Sequence, residues 1–276
     1  MAQKQLVKTY FSGFDPVPGD VKGKLWPEGL PFYSKAAGDS KAVVVCFHGF
    51  GATPYETRPV ADACVRAGID AVVPILPGHG YAHDEDQKRE IVKMTKDGLL
   101  EAARQEVARA RERYKTVFAY GQSMGGAIAL SIAAEGIVDA CATTAPALKL
   151  PAGSGFNMVL TAMFLNKLSF FIKKKPRSRT FVNYSYSHHS SIAGAQMQRL
   201  SLHARSVLGS IACPVLVAHS HGDSTIDPVV TDWVRSKARG TVEIAWFDKS
   251  DHTMPLDVQG PEVSAAIAGF FTRYLS

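Results

Sequence analysis

Ser123 stands at the centre of Gly121-Gln122-Ser123-Met124-Gly125. An apolar run, Thr116-Val117-Phe118-Ala119-Tyr120, precedes it, and a helix-like run from Ala127 to Ala134 follows. The order is strand, sharp turn, helix, with a serine at the tip. Such a turn is strained and crowded, and a side chain at Gly121 or Gly125 would collide with the adjoining helix or strand. The geometry lifts the hydroxyl out of a sheet and sets it at a helix N-terminus, which favours the negative charge formed in acyl transfer. The competing reading is an ordinary strand-to-helix turn with a capping serine, so the rest of the chain has to decide.

A serine hydroxyl is a poor nucleophile at neutral pH; it needs a base, and the base needs an orienting acid. The chain supplies both, in the order Ser, Asp, His. The acid candidate is Asp223, in the loop His219-Ser220-His221-Gly222-Asp223 just past an apolar strand. Ligand sites of open parallel sheets gather at that edge. Asp227 is its rival, but its place before Pro228 suits a helix N-cap with proline at the first helical position. The base candidate is His252, in Ser250-Asp251-His252-Thr253-Met254-Pro255, beyond the last strand. His79, His83, His188, His189, His203, His219 and His221 compete in principle, but most fall in an insertion or before the serine, which breaks the chain order. Asp251 adjoins His252, and adjacent side chains diverge. The oxyanion needs two backbone N–H donors. Met124, right after the nucleophile, and Phe50, in His48-Gly49-Phe50-Gly51, are the candidates. His48-Gly49 also reads as a plain strand-ending turn.

The elements that must position these groups alternate along the chain. Strands are expected at Pro31–Ser34 (an edge strand), Lys41–Phe47, Ala71–Leu76, Thr116–Tyr120, Val138–Thr144, Pro214–His219 and Thr241–Phe247. Lys41–Phe47 is a continuous β-branched run, the mark of a strand buried on both faces. Helices are expected at Tyr55–Ala67, Asp84–Tyr114, Ser191–Val207, Pro228–Arg239 and Pro261–Tyr274. This predicts an α/β fold, a mostly parallel sheet with helices on both faces. The alternation fails between Pro146 and about Ser210. The expected organisation is therefore a core of residues 1–147 and 208–276 with a cap inserted at 148–207.

The 276 residues suffice for one large domain with an insertion, and a hydrophobic content of 46% supports a sizeable core. The formal charge is +6, but it is concentrated in Lys173, Lys174, Lys175, Arg177 and Arg179. That run is a solvated face or a contact for phosphate or lipid headgroups. Without a nucleic-acid motif it does not imply nucleic-acid binding. Cys46, Cys64, Cys141 and Cys213 are widely spaced and lack metal-ligand spacing, so buried free thiols and a reducing, cytoplasmic setting are expected. The first eight residues lack the apolar core of a secretory signal. No metal cluster or nucleotide fingerprint appears, so no cofactor and no metal are implied, and nothing sets an oligomeric state.

With Phe47-His48-Gly49-Phe50-Gly51, Leu76-Pro77-Gly78-His79-Gly80, the Ser123 elbow, the Gly222-Asp223 loop and Ser250–Asp257, the chain resembles the α/β-hydrolases. It is most similar to the carboxylesterase and monoacylglycerol lipase group that includes serine-aminopeptidase-like enzymes. The resemblance spans about residues 40–147 and 208–276. It implies Ser123 as nucleophile, His252 as base, Asp223 as acid, Phe50 and Met124 as amide donors, and a cap over the site. The activity expected is hydrolysis of a small-molecule carboxylic ester with an apolar acyl chain. Met163, Phe164, Phe170 and Phe171 would contact that chain, or merely pack the cap onto the core. The basic run and its aromatics would give weak contact with anionic membrane surfaces. The same triad on an amide, peptide or thioester is the alternative, followed by a non-catalytic hydrolase-fold receptor.

Overall fold

A computed structural model describes residues 10–149, 170–174 and 181–275. Its strands are β1 (Phe32–Ser34), β2 (Ala42–Phe47), β3 (Asp70–Val73), β4 (Thr116–Gln122), β5 (Ala140–Thr144), β6 (Phe171–Lys173), β7 (His188–Ser190), β8 (Val215–His219) and β9 (Val242–Trp246). Its helices are α1 (Gly19–Lys22), α2 (Arg58–Arg66), α3 (Asp84–Ile91), α4 (Lys96–Arg111), α5 (Met124–Ala134), α6 (Ser191–Val207), α7 (Val230–Lys237) and α8 (Gly260–Thr272). Seven strands form one sheet in the order β1-β3-β2-β4-β5-β8-β9. All pairings in it are parallel except that of β1 with β3.

The β-branched run of β2 is buried at every position, and its side chains divide between two faces. Val43, Val45 and Phe47 point into one core with α4, α5, α6 and α7; Val44 and Cys46 point into the other, against α2 and α8. The period-2 alternation of a strand thus feeds two helix layers at once. Burying each of these valines contributes roughly 1.5–3 kcal/mol before chain entropy is counted. On the second face Phe118 of β4 stacks on Phe271 of α8 at 4.7 Å.

The charged pattern expected to be a single helix from Asp84 to Tyr114 is two helices. Thr95 separates them: its side chain accepts the Gly98 amide hydrogen at 3.0 Å and caps α4. Charge spacing alone does not reveal that break, because both helices expose charged faces. Pro74 ends β3, and Gly68, at φ 86°, ends α2.

Within the segment expected as an insertion, β6 and β7 form an antiparallel pair. Helix α6 contributes Ala193, Met197, Leu200 and Ala204 to the same core as α5. Phe171 packs against that core, and Phe170 exchanges backbone and side-chain hydrogen bonds with Ser191. Met163, Phe164, Lys175, Arg177 and Arg179 lie outside the described residues. Among those described, no helix is long and apolar enough to cross a membrane. Cys46, Cys64 and Cys141 are buried, Cys213 is half-buried, and all four are free thiols; burial pushes Cys64 up to about 12. The N-terminal arm crosses the sheet edge closely. A Cβ on Gly13 would lie 2.5 Å from Val72 Cγ2 and 2.7 Å from the Phe32 carbonyl oxygen. The Gly13 amide donates to Glu106 of α4 at 2.9 Å.

Candidate active site

Parallel strands end on one rim, and four of those ends carry the residues singled out from sequence: Phe50 after β2, Ser123 after β4, Asp223 after β8 and His252 after β9. Ser123 has φ 54° and ψ −110°, on the half of the map that L-residues avoid. Packing holds it there. A Cβ on Gly121 would lie 2.0 Å from the Gly125 carbonyl oxygen, and one on Gly125 would lie 1.9 Å from that of Phe47. Neither clash is relieved by a side-chain rotation, because both involve backbone. The first turn of α5 is thereby pressed against the end of β2. The Ser123 amide is fixed on the Thr144 carbonyl of β5 at 2.9 Å.

His252 Nε2 lies 2.9 Å from Ser123 Oγ, and His252 Nδ1 lies 2.9 Å from Asp223 Oδ2. With Nδ1–H donated to the carboxylate, Nε2 presents its lone pair to the hydroxyl, the tautomer a general base requires. Asp223 is fully buried as a side chain and accepts further hydrogen bonds from the amides of Thr225 and Ile226, at 2.7 and 2.9 Å. Burial pushes its carboxyl up. Attraction to the His252 ring, whose Nδ1–H it accepts, the His219 Nε2 at 3.3 Å and the Ile226 amide outweigh that and hold it well below the usual carboxylate range. Asp251 instead accepts from the Ser224 amide and hydroxyl, tying the Asp223 loop to the His252 loop. Asp227 accepts from the Val229 amide at 3.0 Å and pairs with Lys149. Helix α7 starts at Val230, later than a cap at Asp227 with Pro228 in first position requires, so Asp227 closes the turn leading into the helix.

Met124 is the first residue of α5, so its N–H is among the four without an intrahelical acceptor. Phe50 sits second in the turn Gly49–Ala52, closed by Ala52 N–H donating to Gly49 O at 3.2 Å, with Gly51 at φ 71° in the third place. That turn is pinned from below. His48 is completely buried; its Nδ1 bonds the Gly49 carbonyl at 3.0 Å, and its Nε2 accepts the Leu76 amide hydrogen at 3.1 Å. Desolvation, joined by repulsion from His79, lowers it well below the usual histidine range, so it is a neutral strut between two loops. Glu56 accepts the Gly49 amide hydrogen at 2.7 Å. His79, also buried and lowered by burial to about 4, packs its ring against His48, Phe50 and Tyr186. From the β6–β7 side, His189 stacks on Phe50 at 6.2 Å, and Lys174 Nζ lies 3.3 Å from where a Cβ on Gly51 would sit.

Ser123, His252 and Asp223 are therefore brought into a continuous chain of contacts, with Phe50 and Met124 on adjacent elements. Phe170 and Phe171 are half-buried beside α6. Sequence reasoning missed Gln122. Its side-chain amide donates to the His252 carbonyl at 2.7 Å, and its own oxygen accepts from the Thr144 hydroxyl, which Tyr120 OH approaches at 2.8 Å. Thr144 donates to Gln122, so Tyr120 donates to Thr144, and the relay fixes the amide's orientation. The side chain before Ser123 thus holds the loop that carries His252. The only available sequence signal was a polar side chain at the end of an otherwise apolar strand.

The profile of the family described as serine aminopeptidase, S33, matches residues 38–259. A thermostable monoacylglycerol lipase of Bacillus sp. (strain H-257) is 27% identical over 252 residues, covering 88% of this chain and 94% of that protein. Among solved structures, a metagenome-derived lipolytic enzyme superposes with a TM-score of 0.81 at 20% identity, covering 90% of this chain and 99% of its own. A soluble variant of the monoglyceride lipase from Saccharomyces cerevisiae, in complex with a substrate analogue, superposes with a TM-score of 0.74 at 13% identity, covering 89% and 91%.

Proposed function

Because the chain belongs to the serine aminopeptidase S33 family of α/β-hydrolases, we propose that it is a serine hydrolase that cleaves carboxylic esters, with monoacylglycerols or similar esters of an apolar acyl chain as its substrates. The observation that carries this reading is the 2.9 Å and 2.9 Å chain from Ser123 Oγ through His252 to Asp223 on a strained elbow. Ser123 Oγ attacks the ester carbonyl carbon while its proton passes to His252 Nε2. The carbonyl π pair moves onto oxygen, where the Phe50 and Met124 amides stabilise it. Collapse expels the alcohol, which takes the proton from His252, and leaves an acyl-serine. Water then attacks, giving its proton to His252, and the second collapse returns that proton to Ser123 and frees the acid. Asp223 stays ionised throughout and stabilises the transient imidazolium.

The ester preference is supported by the monoacylglycerol lipase relative, and the cap assignment of 148–207 by its place between β5 and β8. In this reading Phe170, Phe171, Met163 and Phe164 border the acyl chain. The family's peptidase description favours one second reading, the same acyl transfer on an amide bond. The test is hydrolysis of a p-nitrophenyl ester series, a monoacylglycerol and a matched anilide by the protein and by Ser123→Ala. Ester turnover that falls about 10⁴-fold or more in the variant is expected. Equal rates in both proteins, or an anilide turned over faster than the ester, would overturn the assignment.

A further inference from the structure

Asp223 holds more donors than orientation of a single imidazole requires. Its Oδ1 takes the Thr225 and Ile226 amides, and its Oδ2 is shared between His252 Nδ1 at 2.9 Å and His219 Nε2 at 3.3 Å. His219 ends β8 and is completely buried. Its Nε2 also lies 3.3 Å from the Ile226 carbonyl oxygen, while its Nδ1 has no hydrogen-bond partner among the described residues. A nitrogen that faces two acceptors carries the proton, and the geometry is met by a ring with Nε2–H. The charged and titratable groups around it are Asp223, His252 across that carboxylate, and Asp227 with its partner Lys149; the Trp246 ring lies 6.2 Å away.

We propose that His219 is a positioning residue for the reaction, acting through Asp223: its Nε2–H shares Oδ2 with His252. This rests on the reading of Asp223 as the acid that orients His252. Two consequences follow from the sharing. The carboxylate cannot rotate Oδ2 away from His252 without also giving up its 3.3 Å contact with His219 Nε2. The charge on Oδ2 is also partly taken up, so Asp223 holds the imidazolium form of His252 less tightly than an unshared carboxylate would. Chain order cannot find this residue, because it precedes the acid and touches neither nucleophile nor base.

The experiment compares the wild-type protein with His219→Phe, which keeps the ring volume without a donor, and His219→Gln, which keeps a donor near Nε2. Each is assayed for kcat, KM and the pH profile of kcat/KM on one p-nitrophenyl ester. For the phenylalanine variant kcat is expected to fall about tenfold with KM nearly unchanged. Its acid limb is expected to move up by about one pH unit. The glutamine variant restores both. A limb that stays in place in both variants, or equal losses in both, reduces His219 to filler and overturns the proposal. Should the phenylalanine variant fail to fold, nitrogen-15 imidazole spectra of the wild-type protein decide instead: a proton on His219 Nε2 supports the proposal, and one on Nδ1 alone overturns it. Wild-type turnover that does not depend on Ser123 would instead sink the underlying function, and this inference with it.

Discussion

Two of the buried carboxyl groups, those of Asp223 and Glu106, are sent in opposite directions by their surroundings. Asp223, at the rim, is met by three hydrogen-bond donors and, at 3.3 Å, by the His219 ring, and is held below the usual carboxylate range. Glu106, on α4 under the N-terminal arm, is met by one, the Gly13 amide at Oε1; its Oε2 has no hydrogen-bond partner among the described residues. Burial pushes Glu106 up from 4.5 to about 7, and the Gly13 hydrogen bond and the charges of Arg109 and Arg113 only partly oppose it. Burial alone therefore does not set the charge of an acid; the charge and the hydrogens aimed at it decide. The rim is built to keep a charge, and the arm lies over a group that gives up its proton only at about pH 7.

Replacing Asp223 with Asn attacks the contrast where it is steepest. The amide offers Nδ1 of His252 no carboxylate and favours the wrong ring tautomer, so kcat on an ester is expected to fall about 10⁴-fold with the fold intact. A fall below tenfold would mean that the donors around Asp223 serve the loop and not the base. The charge also links to stability. The folded carboxyl titrates below its unfolded counterpart, so its contribution is present above the unfolded value and is lost as pH falls towards the folded one. Urea melts from pH 6 downwards are expected to show a steeper loss for the wild-type protein than for Asp223→Asn.

Glu106→Gln probes the other side. A folded value of about 7 against an ordinary 4.5 means that the native state binds the extra proton, so stability declines as pH rises from about 4.5 through 7. The glutamine cannot ionise and can still accept from Gly13. It is expected to stabilise the protein by up to about 3 kcal/mol at pH 8 and by little at pH 4. Denaturation at the two pH values measures this, and a gain equal at both would remove the protonation account. The smallest effect expected is at Gln122, whose amide reaches the base loop through a neutral hydrogen bond. Gln122→Leu is expected to lower kcat about tenfold, or about 1.4 kcal/mol, with KM little changed; an unchanged kcat would show that the bonds of Asp251 to Ser224 hold the loop without it.

What could be read in the sequence followed from steric demands. The β-branched run at 42–47 has only a doubly buried strand to become, and Gly121 and Gly125 are spaced for a backbone contact that no other residue tolerates. Chain order then put Ser123, Asp223 and His252 on three strand ends of one rim. What could not be read depends on rotamers and on backbone carbonyls. Gln122 grips the main-chain oxygen of His252, which has no sequence signature, and His219 reaches Asp223 only because β8 turns sharply after it. The break at Thr95 was hidden because charge periodicity runs through both α3 and α4, and a threonine inside a polar stretch is not distinctive until its hydroxyl is seen to accept an amide hydrogen.

Tyr186 joins several of these parts. Its amide donates to the Gly51 carbonyl, its hydroxyl donates to the Gly78 carbonyl, and its ring lies against those of His79 and Trp26. A single tyrosine thus rivets the segment leading into β7, an outer strap, to the turns that carry Phe50 and Gly78. Gentle warming is then expected to disarm the catalyst before the sheet melts, with turnover lost at a lower temperature than the far-ultraviolet dichroism. Coincident midpoints would mean that strap and sheet come apart as one.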